Sequence, residues 1–228
     1  MNCKLSIIIP VLNESRIINA TIAHLSELTF SGSLEIIVVD GNLSGNTINA
    51  IASSDIIKII GSKGRGSQMN AGAAAASGNV LLFLHADTLL SHDALDQIMT
   101  AFQRYDIMGG AFDLEIASPK RIFRLIERAA SIRSRLTRIP YGDQAIFLKK
   151  SVFDQIGGFK DIPIMEEVEL MQRLKKAGKK IKFIPRKVRT AARRWEKEGI
   201  IYCTLRNWTL ITLYLLGVPP EKLNKFYP

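Results

Sequence analysis

Cysteine is scarce: the chain of 228 residues holds two, Cys3 and Cys203, far apart and outside any Cys-x-x-Cys spacing. That argues against both a disulfide framework and a zinc site and favours a reducing, cytoplasmic setting. Long hydrophobic runs are missing too. The opening Lys4-Leu5-Ser6-Ile7-Ile8-Ile9 is too short for a signal peptide and reads as a core strand. The most apolar late segment, Ile200 to Val218, is interrupted by Arg206, Asn207 and several threonines. It falls short of the roughly 20 apolar residues that span a bilayer, so a packed or interfacial helix is expected there. No Pro/Gly/Ser-rich stretch and no internal repeat divides the chain, which predicts one domain over 1–228, its only irregular part around 115–143.

What is present is 47% apolar, enough for one sizeable core, with a net charge of +10. A basic surface attracts nucleic acid, anionic lipid or phosphorylated small molecules, and charge alone does not choose among them. Short β-branched runs alternate with longer amphipathic stretches: strands at 5–9, 35–39, 56–60 and 79–84, helices from 14, 46, 66 and 91. This pattern predicts an α/β fold with a mostly parallel sheet flanked by helices. Farther on, the sequence predicts a basic helix at 119–136, a turn at 142–144, a strand at 145–148, helices at 151–156 and 165–177, a strand at 181–184 and a final helix from 196. In open sheets of this kind ligands bind beyond the carboxyl ends of the strands.

Those ends carry polar groups. Asp87, after Val80-Leu81-Leu82-Phe83-Leu84, suits a hard divalent cation such as Mg²⁺, which needs one or two carboxylates and takes phosphate oxygens for the rest. The alternative is a helix cap, for which Ser91 is better placed. His85 either ligates a borderline metal such as Mn²⁺ or packs beside the site. Asp40 ends another apolar strand, where a carboxylate can accept hydrogen bonds from a base or ribose; a simple Asp-Gly turn is the other reading. The stretch from Lys63 through Arg65, Gln68 and Asn70 opens a helix with two glycines, and backbone N–H groups and cations there can meet an anion. It lacks the spacing of a dinucleotide fingerprint or a Walker A loop.

Glu166, Glu167 and Glu169 begin a helix that ends in basic residues, an order the helix dipole favours by itself. Three carboxylates together can also supply a general base for a hydroxyl proton. Neighbours in a helix point apart, so one of Glu166 and Glu167 should face a given pocket. Arg193, Arg194 and Trp195 suit a diphosphate and a sugar or acceptor ring, or else a surface turn with a buried Trp anchor. The segment 119–138 carries seven Lys and Arg residues against Glu127 alone, the pattern of a solvated helix face or of one lying on anionic lipid.

Taken in order, Ser6 to Glu14 (with Pro10, Asn13 and Glu14), Val38-Val39-Asp40-Gly41, Gly78 to Thr88 (with His85, Ala86 and Asp87), Gly157-Gly158-Phe159 and Glu166 to Leu170 resemble a family-2 glycosyltransferase of the GT-A fold. The Leu-His-Ala-Asp-Thr run, the Tyr141-Gly142-Asp143-Gln144 turn and Arg193-Arg194-Trp195 resemble one subgroup of it. The resemblance implies an inverting transfer from a nucleotide-sugar donor, a UDP-sugar above all, to an unknown acceptor hydroxyl. A lipid-linked acceptor is one option, and nucleic acid is not among the implied partners. It makes 1–115 the donor half and 116–228 the acceptor half. Asp87 then corresponds to the last acid of the metal motif, Asp40 to the base-recognising acid and Glu167 to the catalytic base, with Glu166 beside it. A divalent Mg²⁺ or Mn²⁺ is the implied cofactor. The donor site would take in Pro10, Asn13, Glu14, Asp40, Lys63, Arg65, Gln68, Asn70, His85, Ala86 and Asp87, and the acceptor and phosphate side Asp143, Gln144, Arg193, Arg194 and Trp195. His85 replaces the first acid of the motif, and Gly45 stands where a second Asp is common.

Two other readings compete. One is a non-catalytic protein that keeps the fold and docks on lipid through its basic helix 119–138; the enzyme reading itself also allows peripheral contact at the inner face of the membrane through 119–138 or 200–218. The other is a nucleotidyltransferase, which normally has a Gly-rich loop after the first strand, where this chain has Pro10 to Glu14.

Overall fold

The computed structural model describes residues 4–227, so Cys3 lies outside the described residues, while Cys203 is a buried free thiol. Strand β1 (Lys4–Val11) pairs in parallel with β2 (Ser33–Asp40) on one side and with β4 (Val80–Phe83) on the other, and β3 (Ile57–Ile60) lies outside β2. Strands covered on both faces should be apolar throughout. Alternate residues enter different cores: Ile7, Ile9 and Val38 on one face, Ile8, Ile37 and Val39 on the other.

Helix α1 (Ile18–Ser26) and α3 (Ala94–Phe102) cover the first face. Helix α2 (Arg65–Ala75) and α6 (Glu166–Lys176) cover the second, with the short α5 (Lys150–Gln155). Gly72 lets α2 approach β1 closely, since a Cβ there would stand 2.4 Å from the Ile8 side chain.

The second half extends the same sheet in the order β3-β2-β1-β4-β7-β6-β8-β5. β5 is Thr88–Leu89, β7 is Phe147–Lys149, and β6 (Ile107–Ala117) runs parallel to β8 (Lys180–Ala191). Four of the pairings are parallel and three antiparallel, so the sheet is mixed beyond β4. β6 runs through position 115, which puts the boundary between the expected halves inside a strand. The chain continues as α4 (Arg121–Thr137), α7 (Arg193–Glu198), α8 (Ile200–Leu215) and α9 (Pro220–Leu223).

Several expectations need correction. The helix expected from 46 is a single 3-10 turn, Ile48–Ala50. Side chains take its backbone groups instead: the Asp40 carboxylate accepts from the N–H of Thr47 and Ile48, and Asn19 donates to Ala50 O and accepts from Ala52 N. β6 was not foreseen, although Phe112, Leu114 and Ile116 alternate as a strand should, because Gly109-Gly110 masks its start. Those glycines are where neighbouring strands press in, Gly110 against Lys182 O and Phe147. The final helix is two, divided at Gly199, whose φ is +93°. No described helix is long and apolar enough to cross a membrane.

Candidate active site

At the carboxyl end of β1 the chain turns at Asn13, whose φ is +59°. Asn13 Oδ1 accepts from the side-chain amides of Asn42 (3.0 Å) and Asn46 (2.6 Å), joining the loops after β1 and β2. Asp40 holds the second of these loops from inside. It is fully buried, and its carboxylate accepts from the N–H groups of Asn42 (2.9 Å), Thr47 (2.8 Å) and Ile48 (3.3 Å). Thr47 Oγ1 in turn accepts from Glu14 N at 3.0 Å. Asp40 therefore shapes the loop, its carboxylate turned towards the backbone N–H groups of Asn42, Thr47 and Ile48.

Two other residues assigned to donor binding are also occupied by the scaffold. Gln68 Nε2 donates to Val11 O (2.7 Å) and Val39 O (2.8 Å), tying the ends of β1 and β2 together. Asn70 exchanges two hydrogen bonds with the Phe159 backbone, at 2.8 and 2.9 Å, and so fixes the Gly157-Gly158-Phe159 turn. Ala86 is buried, its carbonyl accepting from Thr21 Oγ1, while Pro10 is partly open and Lys63 exposed.

The acidic groups gather beyond β4. Arg193, at the start of α7, donates to Asp87 Oδ2 at 3.0 Å and lies 3.8 Å from Glu14 Oε2. Burial raises the Glu14 pKa, with Arg193 opposing and Asp87 adding. His85 Nε2 faces Glu167 Oε1 at 3.9 Å, longer than a hydrogen bond, so the attraction is electrostatic. Both atoms are buried and neither has a hydrogen-bond partner among the described residues. Gly142 lies against them: a Cβ there would stand 2.2 Å from Glu167 Oε1 and 2.9 Å from His85 Nε2.

Asp143, the next residue, also has a buried oxygen, Oδ1, without a partner. Burial pushes its carboxyl pKa up, His85 and Arg133 oppose that, and Glu167 and Asp87 add to it. Residues from five separate stretches of the chain thus share one electrostatic neighbourhood.

The two glutamates at the start of α6 differ. Glu166 is raised above the usual carboxylate range by burial and by Glu167, against the pull of Arg65, whose guanidinium is 3.9 Å away. Burial acts to raise Glu167 as well, but His85 and Arg65 outweigh it and hold its pKa below the ordinary value. Glu169 is taken by Arg173 (2.7 Å) and Lys160 (3.0 Å) and serves the helix.

On the expected acceptor side, Gln144, Trp195 and Arg194 are each engaged with the protein itself. Gln144 is fully buried, accepting from Ser134 Oγ (2.7 Å) and Tyr141 N (3.1 Å) and donating to Phe112 O (2.9 Å). Trp195 is half-buried, packing edge-on against Phe123 at 6.0 Å and donating to Thr204 Oγ1, which anchors it to the small core around Phe123. Arg194 is engaged with Tyr227, both by hydrogen bond to its hydroxyl and over its ring.

Tyr141 and Arg133, given no site role by the sequence, also border Asp143. The guanidinium lies 3.4 Å from the Tyr141 ring centroid, and the Tyr141 hydroxyl is buried without a partner beside Asp143. The invariably basic look of 119–138 hid the fact that Arg133 turns inward, donating to Ile139 O and Ser134 Oγ.

A family model described as glycosyl transferase family 2 matches residues 6–160. The chain belongs to that family. It is 27% identical, over 86% of its length, to a probable glycosyltransferase, YdaM, of Bacillus subtilis, and it spans 51% of that relative. It is 34% identical over 50% of its length to an uncharacterized glycosyltransferase of Nostoc sp., spanning 37% of it. Among solved structures, a mannosyltransferase of Pyrobaculum calidifontis in complex with GDP-Man and Mn²⁺ matches 90% of this chain and 59% of its own, with TM-score 0.65 at 18% identity. The S. aureus protein TarS, residues 1–349, matches 98% of this chain and 69% of its own, with TM-score 0.61 at 15% identity. The architecture is the GT-A fold.

No group of three or more His, Cys, Asp or Glu side chains among the described residues is placed to hold a metal by itself. The donor set nevertheless fits a cation completed by substrate phosphates. Asp87 is a hard oxygen donor with 28% of its side chain exposed at the rim, and such a cation needs few protein carboxylates.

Proposed function

We propose that this glycosyltransferase moves a sugar from a nucleoside diphosphate to an acceptor hydroxyl, with inversion, in the pocket bounded by Glu14, Arg65, His85, Asp87, Asp143, Glu167 and Arg193. The observation that carries this reading is the buried, partnerless Glu167 Oε1 opposite His85. Leaving such an atom unpaired costs about 1–3 kcal/mol, and a base that must accept a proton during turnover needs a free lone pair.

The pKa directions favour Glu167 over Glu166 as the base: Glu167 is biased to the carboxylate, Glu166 to the neutral acid. Glu167 takes the acceptor hydroxyl proton as the acceptor oxygen attacks the anomeric carbon. The bond from that carbon to the diphosphate breaks on the opposite face. Arg65 and Arg193 supply positive charge near the departing diphosphate. Asp87 would hold a divalent cation, which when bound neutralises charge on the leaving group. The resemblance favours a UDP-sugar, and the exposed Asn13 and Asn46 at the carboxyl ends of β1 and β2 are polar partners within reach of a base or ribose bound there.

Turnover with a panel of nucleotide sugars and simple hydroxyl acceptors, following the product anomer by NMR, tests this. A β-linked product from an α-linked donor is expected, and a retained configuration would refute the displacement.

A further inference from the structure

Two helices carry apolar side chains that the rest of the described chain does not cover. On α4, Ile122, Leu125, Ile132 and Leu136 are exposed, Leu136 to 79%. With Ala129 between them they recur at steps of three and four, so they form one stripe. On α8, Ile201, Leu205 and Trp208 are exposed at steps of four and three, Ile201 to 71%. The starts of the two helices meet at a groove of about 420 Å³ lined by Ile122 and residues 199–202. Ile200 packs into the small core around Phe123. That core includes Trp195, two residues beyond Arg193, so the surface adjoins the rim of the active site.

The charge beside the α4 stripe is of one sign. Lys120, Arg121 and Arg128 are exposed and have no ion-pair partner among the described residues. The one acid of α4, Glu127, is buried under Arg124 (2.8 Å) and Lys187 (3.3 Å). A second copy docked face to face would bring like charges together. Anionic headgroups complement them, and the stripe is of the kind that enters the acyl boundary of a bilayer.

We propose that α4 and the first half of α8 form a single docking surface for an anionic lipid bilayer, which the chain meets edge-on without crossing. Cosedimentation with phosphatidylglycerol–phosphatidylcholine vesicles tests it. Wild type should partition onto these vesicles and far less onto pure phosphatidylcholine. The exposed triple variant Leu125→Ser/Ile132→Ser/Leu136→Ser should lower the partition constant about tenfold or more. Arg121→Gln/Arg128→Gln should weaken binding to the anionic vesicles only, by a margin that fades at high salt.

Unchanged thermal unfolding of the variants establishes that they are folded, and none of these readouts depends on the transferase reading. The proposal is overturned if wild type stays in the supernatant at low salt, or if the triple variant partitions as well as wild type. It is equally overturned if the same three substitutions disperse a concentration-dependent dimer while vesicle binding remains at background.

Discussion

Two sets of polar side chains stand at the carboxyl edge of this sheet, and the fold treats them in opposite ways. Asp40, Gln68, Asn70 and Gln144 spend their oxygens and nitrogens on backbone groups of nearby loops and strands, Gln144 on the Ser134 hydroxyl as well. His85, Asp143 and Glu167 each keep a buried atom without a partner. The first set is explained by the fold it holds; the second lies beside Asp87 with hydrogen-bonding capacity left over, which the proposed pocket would use.

Substitutions that separate the two sets should give opposite signatures. The largest effect is expected from Glu167→Gln, which keeps the shape and removes the base: kcat should fall about 10²–10⁴-fold with thermal unfolding nearly unchanged. Gly142→Ala comes next, because its methyl would collide with Glu167 and displace it. A shift of that size in a reacting group costs on the order of 10²-fold in kcat.

Asp40→Ala should do the reverse, leaving buried N–H groups unbonded at a cost of about 1–3 kcal/mol each, read as a lowered Tm. Any loss of activity there should follow the loss of folded protein.

The smaller effects are in pH. Glu166 is raised by burial and Glu167 to about 8, so the folded state binds more protons than the unfolded one between about pH 4.5 and 8, and stability declines as pH rises through that interval. Glu166→Gln should therefore gain in Tm relative to wild type between about pH 5 and 9, with under tenfold loss in kcat. At the opposite edge, burial acts to raise Glu35, but bonds from Ser6, Ser77 and Lys4 outweigh it and lower its pKa from 4.5 to about 2. Its stabilisation is present above pH 4.5 and lost as pH falls towards 2, so the advantage of wild type over Glu35→Gln should shrink over that interval.

The first four strands were legible because their apolar runs, Val80–Leu84 among them, end in polar residues, and those ends are where the proposed site gathers. The identity of the partners was not. Asp40 closes a strand and Glu167 sits among three acids at the start of a helix, and only the neighbours that the fold brings up show that the first is bonded three times while the second keeps an oxygen without a partner. The same holds for Trp195, whose role depends on Phe123 and Thr204 from two other helices. β6 was obscured by its glycine pair, whose reason is the closeness of β7 and β8.

In the proposed reaction Asp87 and the partnerless groups beside it form one nucleotide-sugar pocket completed by a divalent cation. Thermal unfolding with UDP, GDP and their sugars, with and without Mn²⁺ or Mg²⁺, tests it most directly on wild type and Asp87→Ala. A ligand at about 100 times its Kd should stabilise the fold by about 2.7 kcal/mol, with metal required in wild type and the gain lost in Asp87→Ala. An equal, metal-independent response in both proteins, or no response to any nucleotide, would contradict it.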